Sequence, residues 1–254
     1  MTVKYCATLN MSEYKSKVYK DTTQENFLIS YATKFKIPRA QLEQEYNRKL
    51  YLVGDNGSFA YFNHNYAFNE LPAIYEILDW YEYMQFDVAP AFDFISKNDL
   101  TMRYAAMYLD YYKRHHYTFK LGAIIQYEND FTIENTMKQY YDMGYDFMFL
   151  VSALKTEKAK LNTVRNRIER VIKLGNEYNV KLHILKLGIK ELINYINAID
   201  VNNVIQSCDS SGITRMAINN TIKETNNNYK TAYEKAHARF NAKLIENAKQ
   251  KRLW

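Results

Sequence analysis

The stretch 119-FKLGAIIQYENDFTIENTMKQYYDMGYDFMFLV-151 contains two apolar runs, at residues 119–126 and 145–151, on either side of an amphipathic segment at 133–143. Short apolar runs rich in aromatic and branched residues are typical of buried strands, whereas the intervening segment has the spacing of a helix. Only Gly144 separates that helix from the second run. Because parallel strands need a crossover connection, the stretch predicts a strand–helix–strand unit with its two strands parallel.

The same alternation extends along most of the chain in both directions. Seven strands are predicted in total, at residues 3–9, 50–54, 86–90, 119–126, 145–151, 180–187 and 203–208. Six helices are predicted between them, at residues 24–35, 71–84, 100–115, 133–143, 157–177 and 189–199. Alternating strands and helices with short connections indicate an α/β protein with a parallel sheet.

Seven such units in 254 residues favour a (β/α)8 TIM-like barrel, with the eighth strand expected near residues 216–221. A doubly wound open sheet is the main rival, but neither GxGxxG nor GxxxxGK[ST] follows any strand. We therefore expect a barrel catalytic domain over residues 1–221. Residues 222–254, Asn-rich and then rich in Ala, Lys and Glu, are expected to form a basic helical C-terminal extension.

Composition excludes several classes of protein. No uncharged run approaches the roughly 18 residues of a membrane helix, and no basic-then-apolar signal opens the chain, so a cytoplasmic protein without membrane contact is expected. Two cysteines and five histidines make a structural metal improbable. Residues 215–254 carry nine basic and three acidic side chains, a net +6 that equals the charge of the whole chain. This segment is either a nucleic-acid-binding element or a solvated Lys-rich helix.

Polar residues follow four of the predicted strands, at the end of a barrel where chemistry takes place. They are Asp55 in the run 54-GDNGSF-59, Asp93 in 91-AFD-93, Gln126, and Asp209 in 207-SCDSSG-212. Each has a structural alternative: Asp55 in a turn, Asp209 as a helix cap, Asp93 paired with a lysine, Gln126 bonding a buried backbone group. His183, inside an apolar strand, is interpreted as a hydrogen-bonded core histidine.

Four strand-end polar residues on one face favour a site over four unrelated structural roles. Two carboxylates facing one pocket are the groups needed for displacement at the anomeric carbon of a sugar. One acts as the nucleophile and the other exchanges a proton. The residues alone therefore indicate glycosyl transfer or glycoside cleavage.

These motifs resemble those of the tRNA-guanine transglycosylase superfamily, and most closely the 7-deazaguanine DNA transglycosylases of phages and bacteria. The likeness covers roughly residues 50–216 and follows chain order. Residues 54–59 are similar to the family's Asp-Ser-Gly-Gly-Phe segment, residues 91–93 to its Ala-Phe-Asp, and residues 122–126 to its Gly-Ile-Val-Gln strand. Asp209, with Thr214 and Arg215 five and six residues later, resembles the family's nucleophile and its Thr-Arg pair.

The resemblance implies a base-exchange reaction that needs no cofactor and no metal. Asp209 would be the nucleophile, Asp55 the general acid/base, and Asp93, Gln126, Asn56 and Phe59 would bind the base. Thr214 and Arg215 would contact the nucleic acid. The charge of the C-terminal segment, rather than the resemblance, adds Lys243, Lys249 and Lys251 to the nucleic-acid contacts. The implied partners are a nucleic acid and a 7-deazaguanine base.

The departures from the family pattern bear on the substrate. Val151 and Ser152 replace a Gly-Gly pair, Lys190 replaces a glycine, and the cysteine-rich zinc module of the tRNA enzymes is missing. The changes at Val151, Ser152 and Lys190 imply a base pocket that differs in shape or in the base it accepts. The missing zinc module favours a compact DNA-directed or otherwise divergent member, of phage-like character, over a standard tRNA enzyme. Three alternatives stay open: the same chemistry on tRNA, a catalytically inactive barrel that binds nucleic acid, and a barrel glycosidase acting on small nucleosides or sugars.

Overall fold

The fold is seen in a computed structural model that describes residues 3–15, 19–20, 24–63, 71–126, 130–151, 161–187 and 190–210. Eight strands lie in this part of the chain: β1 (Lys4–Thr8), β2 (Asn26–Ser30), β3 (Tyr51–Asp55), β4 (Val88–Pro90), β5 (Lys120–Ile125), β6 (Phe147–Val151), β7 (Lys181–Leu185) and β8 (Ile205–Ser210). Each strand pairs in parallel with the next, and β8 pairs with β1. The sheet is therefore a closed (β/α)8 barrel, and the predicted fold class is confirmed.

Helices follow the strands and surround the barrel. The described ones are α1 (Met11–Lys15), α2 (Arg39–Tyr46), α3 (Ser58–Asn63), α4 (Ile74–Met84), α5 (Asn98–His115), α6 (Asp130–Met143), α7 (Leu161–Tyr178) and α8 (Lys190–Ile199). Five of the six predicted helices correspond to α4 through α8. Within the described ranges, no helix combines the length and the apolar character needed to cross a bilayer.

The sixth predicted helix, at residues 24–35, is wrong. Residues Asn26–Ser30 form β2, followed by a 3₁₀ turn at Tyr31–Thr33. Phe27, Leu28 and Ile29 are all buried because a barrel strand is covered on both faces. Such a continuous apolar run has no period-2 alternation, so sequence periodicity alone does not distinguish it from a buried helix.

The expected position of the eighth strand is also wrong, because β2 supplies that strand and the barrel closes between β1 and β8. Residues 216–221 lie outside the described residues, as does the whole expected extension at 222–254. The expected boundary between barrel and extension therefore stays a prediction.

Two apolar regions stabilise the barrel. The smaller fills its interior with one or two side chains from most strands, namely Cys6, Leu28, Val53, Val88, Ile124, Phe147 and Phe149. The larger packs the outer faces of the strands against the helices. The larger region is tightly packed at Gly54, where an added Cβ would lie 2.8 Å from Ala89 Cβ and 2.9 Å from Tyr81 Cε1. A glycine at this position lets α4 approach the strand that ends in Asp55.

Candidate active site at the carboxyl mouth of the barrel

The strand alternation directs three of the predicted polar residues into the mouth of the barrel. Asp55 follows Val53 by two residues and Gln126 follows Ile124 by two, so both have the alternation of the interior side chains. Asp209 is the register partner of Cys6, another interior residue. Because all eight strands are parallel, their carboxyl ends share one mouth.

The loop between β3 and α3 shapes the surroundings of Asp55. Gly57 has φ 76°, and a Cβ there would lie 2.8 Å from the backbone nitrogen of Ala32, so the turn requires glycine. This turn brings the Gly57 N–H to Asp55 Oδ2 at 3.2 Å. The Ser30 hydroxyl, at the end of β2, also bonds the Asp55 carboxylate.

Asp55 is set up to exchange a proton near neutral pH. Burial is the main cause that raises its pKa from 3.8 to about 6; the negative charges of Asp93 and Asp209 contribute to this shift, and the hydrogen bonds from Ser30 and Gly57 oppose it. Both other carboxylates therefore act on Asp55 through space. A carboxyl group with this pKa meets the requirement for a general acid/base working at pH 6–8.

Asp93, in the loop after β4, is held by three side chains. Asn56 Nδ2 donates to its Oδ1 at 3.0 Å, and Ser58 Oγ donates to the same oxygen at 2.5 Å. Gln126 Nε2 donates to its Oδ2. Asn56 also bonds Ala91 O at 2.9 Å and accepts the Ser58 N–H at 2.8 Å, so this fully buried amide ties β3 to the Asp93 loop.

Asp209, on β8, has different partners. Its Oδ1 accepts the backbone N–H of Lys186 at 2.9 Å and lies 3.2 Å from Nε2 of His183, which is fully buried on β7. Nδ1 of the same imidazole lies 2.7 Å from Ser207 Oγ. No described residue donates to Oδ2 of Asp209.

Phe59 lies on the rim of the mouth, in the first turn of α3. Its side chain is 44% exposed, and Lys186 Nζ lies 4.1 Å from its ring centroid. Lys186 thus contacts two residues of the candidate site. Its backbone N–H bonds Asp209, and its ammonium group lies over the ring of Phe59. An aromatic ring at the rim of a pocket is a group that can stack on a flat ligand.

The structure therefore brings together six of the eleven residues that the sequence assigns to the site: Asp55, Asn56, Phe59, Asp93, Gln126 and Asp209. The other five, Thr214, Arg215, Lys243, Lys249 and Lys251, lie outside the described residues. Among the described ranges, no group of three His, Cys, Asp or Glu side chains is arranged to hold a metal ion.

Three further polar side chains contact the predicted carboxylates and were missed as site residues: Ser30 at Asp55, Ser58 at Asp93 and His183 at Asp209. Ser30 was missed because its strand was interpreted as helix. His183 was correctly interpreted as a hydrogen-bonded core histidine, but its partner was unknown. Ser207 and His183 are register partners on adjacent strands. The available signal was their alternation, since Ser207 and Asp209 share one face of β8 and His183, the register partner of Ser207, points to the same side of the sheet.

Comparison with known proteins adds no assignment: no protein-family model matches this chain, and no curated protein matches it. The chemistry of the mouth is therefore the feature that bears on function. Three carboxylates with different hydrogen bonding, an amide and an exposed aromatic ring define that chemistry.

Proposed function

We propose that this protein is a base-exchange transglycosylase that replaces guanine in DNA with a 7-deazaguanine base through a covalent aspartyl intermediate. The observation that carries the proposal is the pairing of two unlike carboxylates in one mouth. Oδ1 of Asp209 is hydrogen-bonded and Oδ2 is bonded by no described residue, whereas Asp55 has a pKa of about 6. A nucleophile beside a proton-exchanging acid is the requirement for double displacement at an anomeric carbon.

In the first displacement, Asp209 attacks C1′ of the target deoxyguanosine. The Oδ2–C1′ bond forms as the C1′–N9 bond breaks, and the electron pair of that bond leaves with guanine. Asp55 in its protonated form supplies the proton that the departing base takes up. Burial supports this step, because an acid with a raised pKa still carries its proton in part of the molecules near neutral pH.

In the second displacement, a free 7-deazaguanine base enters after guanine leaves. Asp55, now ionised, accepts the proton from N9, and the N9 electron pair attacks C1′ from the face that guanine left. The Oδ2–C1′ bond breaks and Asp209 recovers its carboxylate. Two displacements retain the configuration at C1′, and no cofactor takes part.

Base binding is assigned to the Asp93 side of the mouth. Asp93 can accept hydrogen bonds from the N–H groups on the Watson-Crick side of a purine, and Gln126 bonds Asp93 until a base replaces that contact. Asn56 contributes by holding Asp93 in place. Phe59 stacks on the base, which must be flipped out of the helix to reach the mouth.

DNA is proposed as the polymer because of the composition of the C-terminal segment. The net +6 of residues 215–254, including Arg215, Lys243, Lys249 and Lys251, supplies a binding term for phosphates that does not depend on sequence. Two cysteines in the whole chain do not supply the zinc module of the tRNA enzymes. Arg215 and Thr214 are assigned to the site by their spacing from Asp209.

The direct test is exchange of labelled guanine into a polymer. Wild-type protein is incubated with duplex DNA, single-stranded DNA or tRNA and with [¹⁴C]guanine, and nucleosides from expressing cells are analysed by mass spectrometry. Label in DNA supports the proposal, and label only in tRNA moves the activity to RNA. Binding without label in any polymer, with no covalent adduct on a denaturing gel, would favour the inactive barrel. Asp142→Asn, at an exposed carboxylate paired with Lys138, is the surface control.

The basic segment has its own test. Charge reversal at Lys243, Lys249 and Lys251 should flatten the plot of log affinity against log salt by about 0.7 to 0.9 for each phosphate that the variant no longer neutralises. Exchange at saturating DNA should change much less, since none of the three lysines belongs to the proposed catalytic pair. An unchanged slope would make the segment a solvated helix and remove the charge argument for DNA.

A further inference from the structure

The hydrogen bonds of His183 fix which nitrogen carries its proton. An ionised carboxylate only accepts hydrogen bonds, so Nε2 must present an N–H to Asp209 Oδ1 at 3.2 Å. In the neutral ring Nδ1 is then the acceptor, and the Ser207 hydroxyl at 2.7 Å is its donor. A directed chain results, in which Ser207 donates to His183 and His183 donates to Asp209.

The two donors to Asp209 meet at the same oxygen. His183 Nε2 and the Lys186 backbone N–H both bond Oδ1, and no described residue bonds Oδ2. Two donors at one oxygen fix the plane of the carboxylate. The second oxygen is left as the one that a substrate can meet.

We infer that His183 is a positioning residue for the nucleophile: with Lys186 N–H it anchors Oδ1 of Asp209, so that Oδ2 is the attacking atom, and Ser207 holds the imidazole in the Nε2–H form that this requires. The inference rests on the proposed function and deepens it. His183 touches no substrate atom and acts through Asp209.

The same contacts bear on the second displacement. While the polymer is attached, Asp209 is an ester in which Oδ2 bonds C1′ and Oδ1 is the carbonyl oxygen. When Oδ2–C1′ breaks, the bonding pair returns to the carboxylate, and negative charge grows on Oδ1 and Oδ2. Two N–H groups already directed at Oδ1 stabilise that charge without rearrangement.

The experiment compares two substitutions of similar size at this position. The side-chain amide of His183→Gln keeps an N–H donor near the site of Nε2, whereas His183→Met keeps the volume and removes the donor. We expect His183→Met to lower kcat for guanine exchange by about 10- to 100-fold with the KM for DNA unchanged, and His183→Gln to retain most of the activity. His115→Met, at an exposed histidine stacked on Tyr111, is the control and should leave kcat unchanged.

Equal losses in the Gln and Met variants, or a loss that appears in KM alone, would overturn the inference. Should His183→Met fail to fold, Ser207→Ala serves in its place. It keeps the imidazole and removes only the hydroxyl that fixes the tautomer, and we expect a several-fold lower kcat with KM unchanged. Wild-type kinetics in Ser207→Ala would contradict the chain of hydrogen bonds.

A spectroscopic measurement separates this inference from the proposed function. Long-range ¹H–¹⁵N correlation spectra report the tautomer of His183, with His183→Gln used to assign the signal. The Nε2–H form is expected in the wild type, and a mixture in Ser207→Ala. An Nδ1–H form in the wild type would overturn the positioning role even if exchange is observed. An Nε2–H form without guanine exchange would mean that the proposed function has failed, and the catalytic role of His183 with it.

Discussion

Asp93 and Asp209 lie in the same mouth and are buried alike, at 5% and 6% exposed, yet their hydrogen bonding is opposite. Asp93 accepts from three side-chain donors that occupy both of its oxygens. Asp209 accepts two donors at one oxygen, and no described residue bonds the other. A carboxylate with both oxygens occupied is suited to orienting a ligand, whereas one with a single oxygen anchored retains an atom that can react.

The donors themselves come from different kinds of structure. Those around Asp93 are side chains from the loop after β3, the start of α3 and the end of β5. Those around Asp209 are the backbone N–H of Lys186, the first residue after β7, and the fully buried imidazole of His183 on β7. Asp209 is also itself on a strand, whereas Asp93 is on a loop, and a strand holds a reacting atom more closely than a loop does, which supports the choice of Asp209 as the nucleophile.

The largest expected effect is the loss of chemistry in Asp209→Asn. An amide cannot attack C1′, so exchange should fall by at least about 1,000-fold, and no covalent adduct should form. Asp93→Asn should weaken binding of the free base but still form an adduct with the polymer. A denaturing gel after incubation with DNA measures adduct formation by both variants. An adduct in Asp209→Asn would show that another residue attacks, and the contrast between the two carboxylates would lose its functional meaning.

The next effect concerns Asp55, which lies within electrostatic range of both. Since Asp55 must be ionised to accept the N9 proton, the rate of the second displacement should fall as pH drops below about 6. Asp55→Asn should lower that rate by about 100-fold or more and remove this pH dependence, because an amide does not titrate. Single-turnover release of a trapped adduct, measured from pH 5 to 8, checks the prediction. A wild-type rate that does not vary in this range would exclude Asp55 as the base.

How far the sequence determines these results differs between the fold and the site. The strand–helix units around 119–151 predict the barrel, because a helix with a recognisable period separates two short apolar runs. Residues 26–30 were not recognised as a strand because a strand buried on both faces has no alternation of apolar and polar residues. Because this strand was missed, the eighth strand was expected near residues 216–221, but the predicted fold class did not change.

The site was predictable where chemistry and strand position coincide, as at Asp55, Asp93, Gln126 and Asp209. The residues that hold these side chains were not predictable. The pairing of His183 with Asp209 joins residues 26 positions apart and depends on the register of β7 against β8. The sequence likewise contains no signal that Ser30 bonds Asp55, because that contact depends on the pairing of β2 with β3. Register is a property of the closed barrel, and a single sequence does not reveal it.

Stability should reveal the same contrast between Asp93 and Asp209 without any substrate. In Asp93→Asn an NH₂ group replaces one of the two oxygens, each of which accepts a hydrogen bond. The new NH₂ group then points at a hydrogen-bond donor, and the free energy of unfolding should fall by about 2 kcal/mol. In Asp209→Asn the remaining oxygen keeps both donors, and the loss should stay below about 1 kcal/mol. Urea unfolding of the two variants measures the difference. Equal losses would mean that the hydrogen-bonding asymmetry of the two carboxylates is absent in solution.

The smallest effect is a pH-dependent gain of stability in Asp55→Asn. The pKa of Asp55 is about 6 in the folded protein against 3.8 ordinarily, so the folded state takes up the proton more readily. Above pH 6 the carboxylate is charged in both states and the folded state bears the cost of burying it. Below pH 4 the group is neutral in both states and the cost is absent. Asp55→Asn should therefore be more stable than the wild type at pH 8 by about 1 to 2 kcal/mol, less than the full shift implies because Asp55 is only partly buried.

That advantage should shrink between pH 6 and pH 4, while any change in the hydrogen bonds from Ser30 and Gly57 adds an offset that does not vary with pH. Subtracting the wild-type curve at each pH removes the contribution of every other titrating group that the substitution leaves unchanged. A difference that stays constant from pH 8 to pH 4 would show that Asp55 has an ordinary pKa. Asp55 would then resemble a solvated turn residue, and the mouth would contain one reactive carboxylate without a proton-exchanging partner.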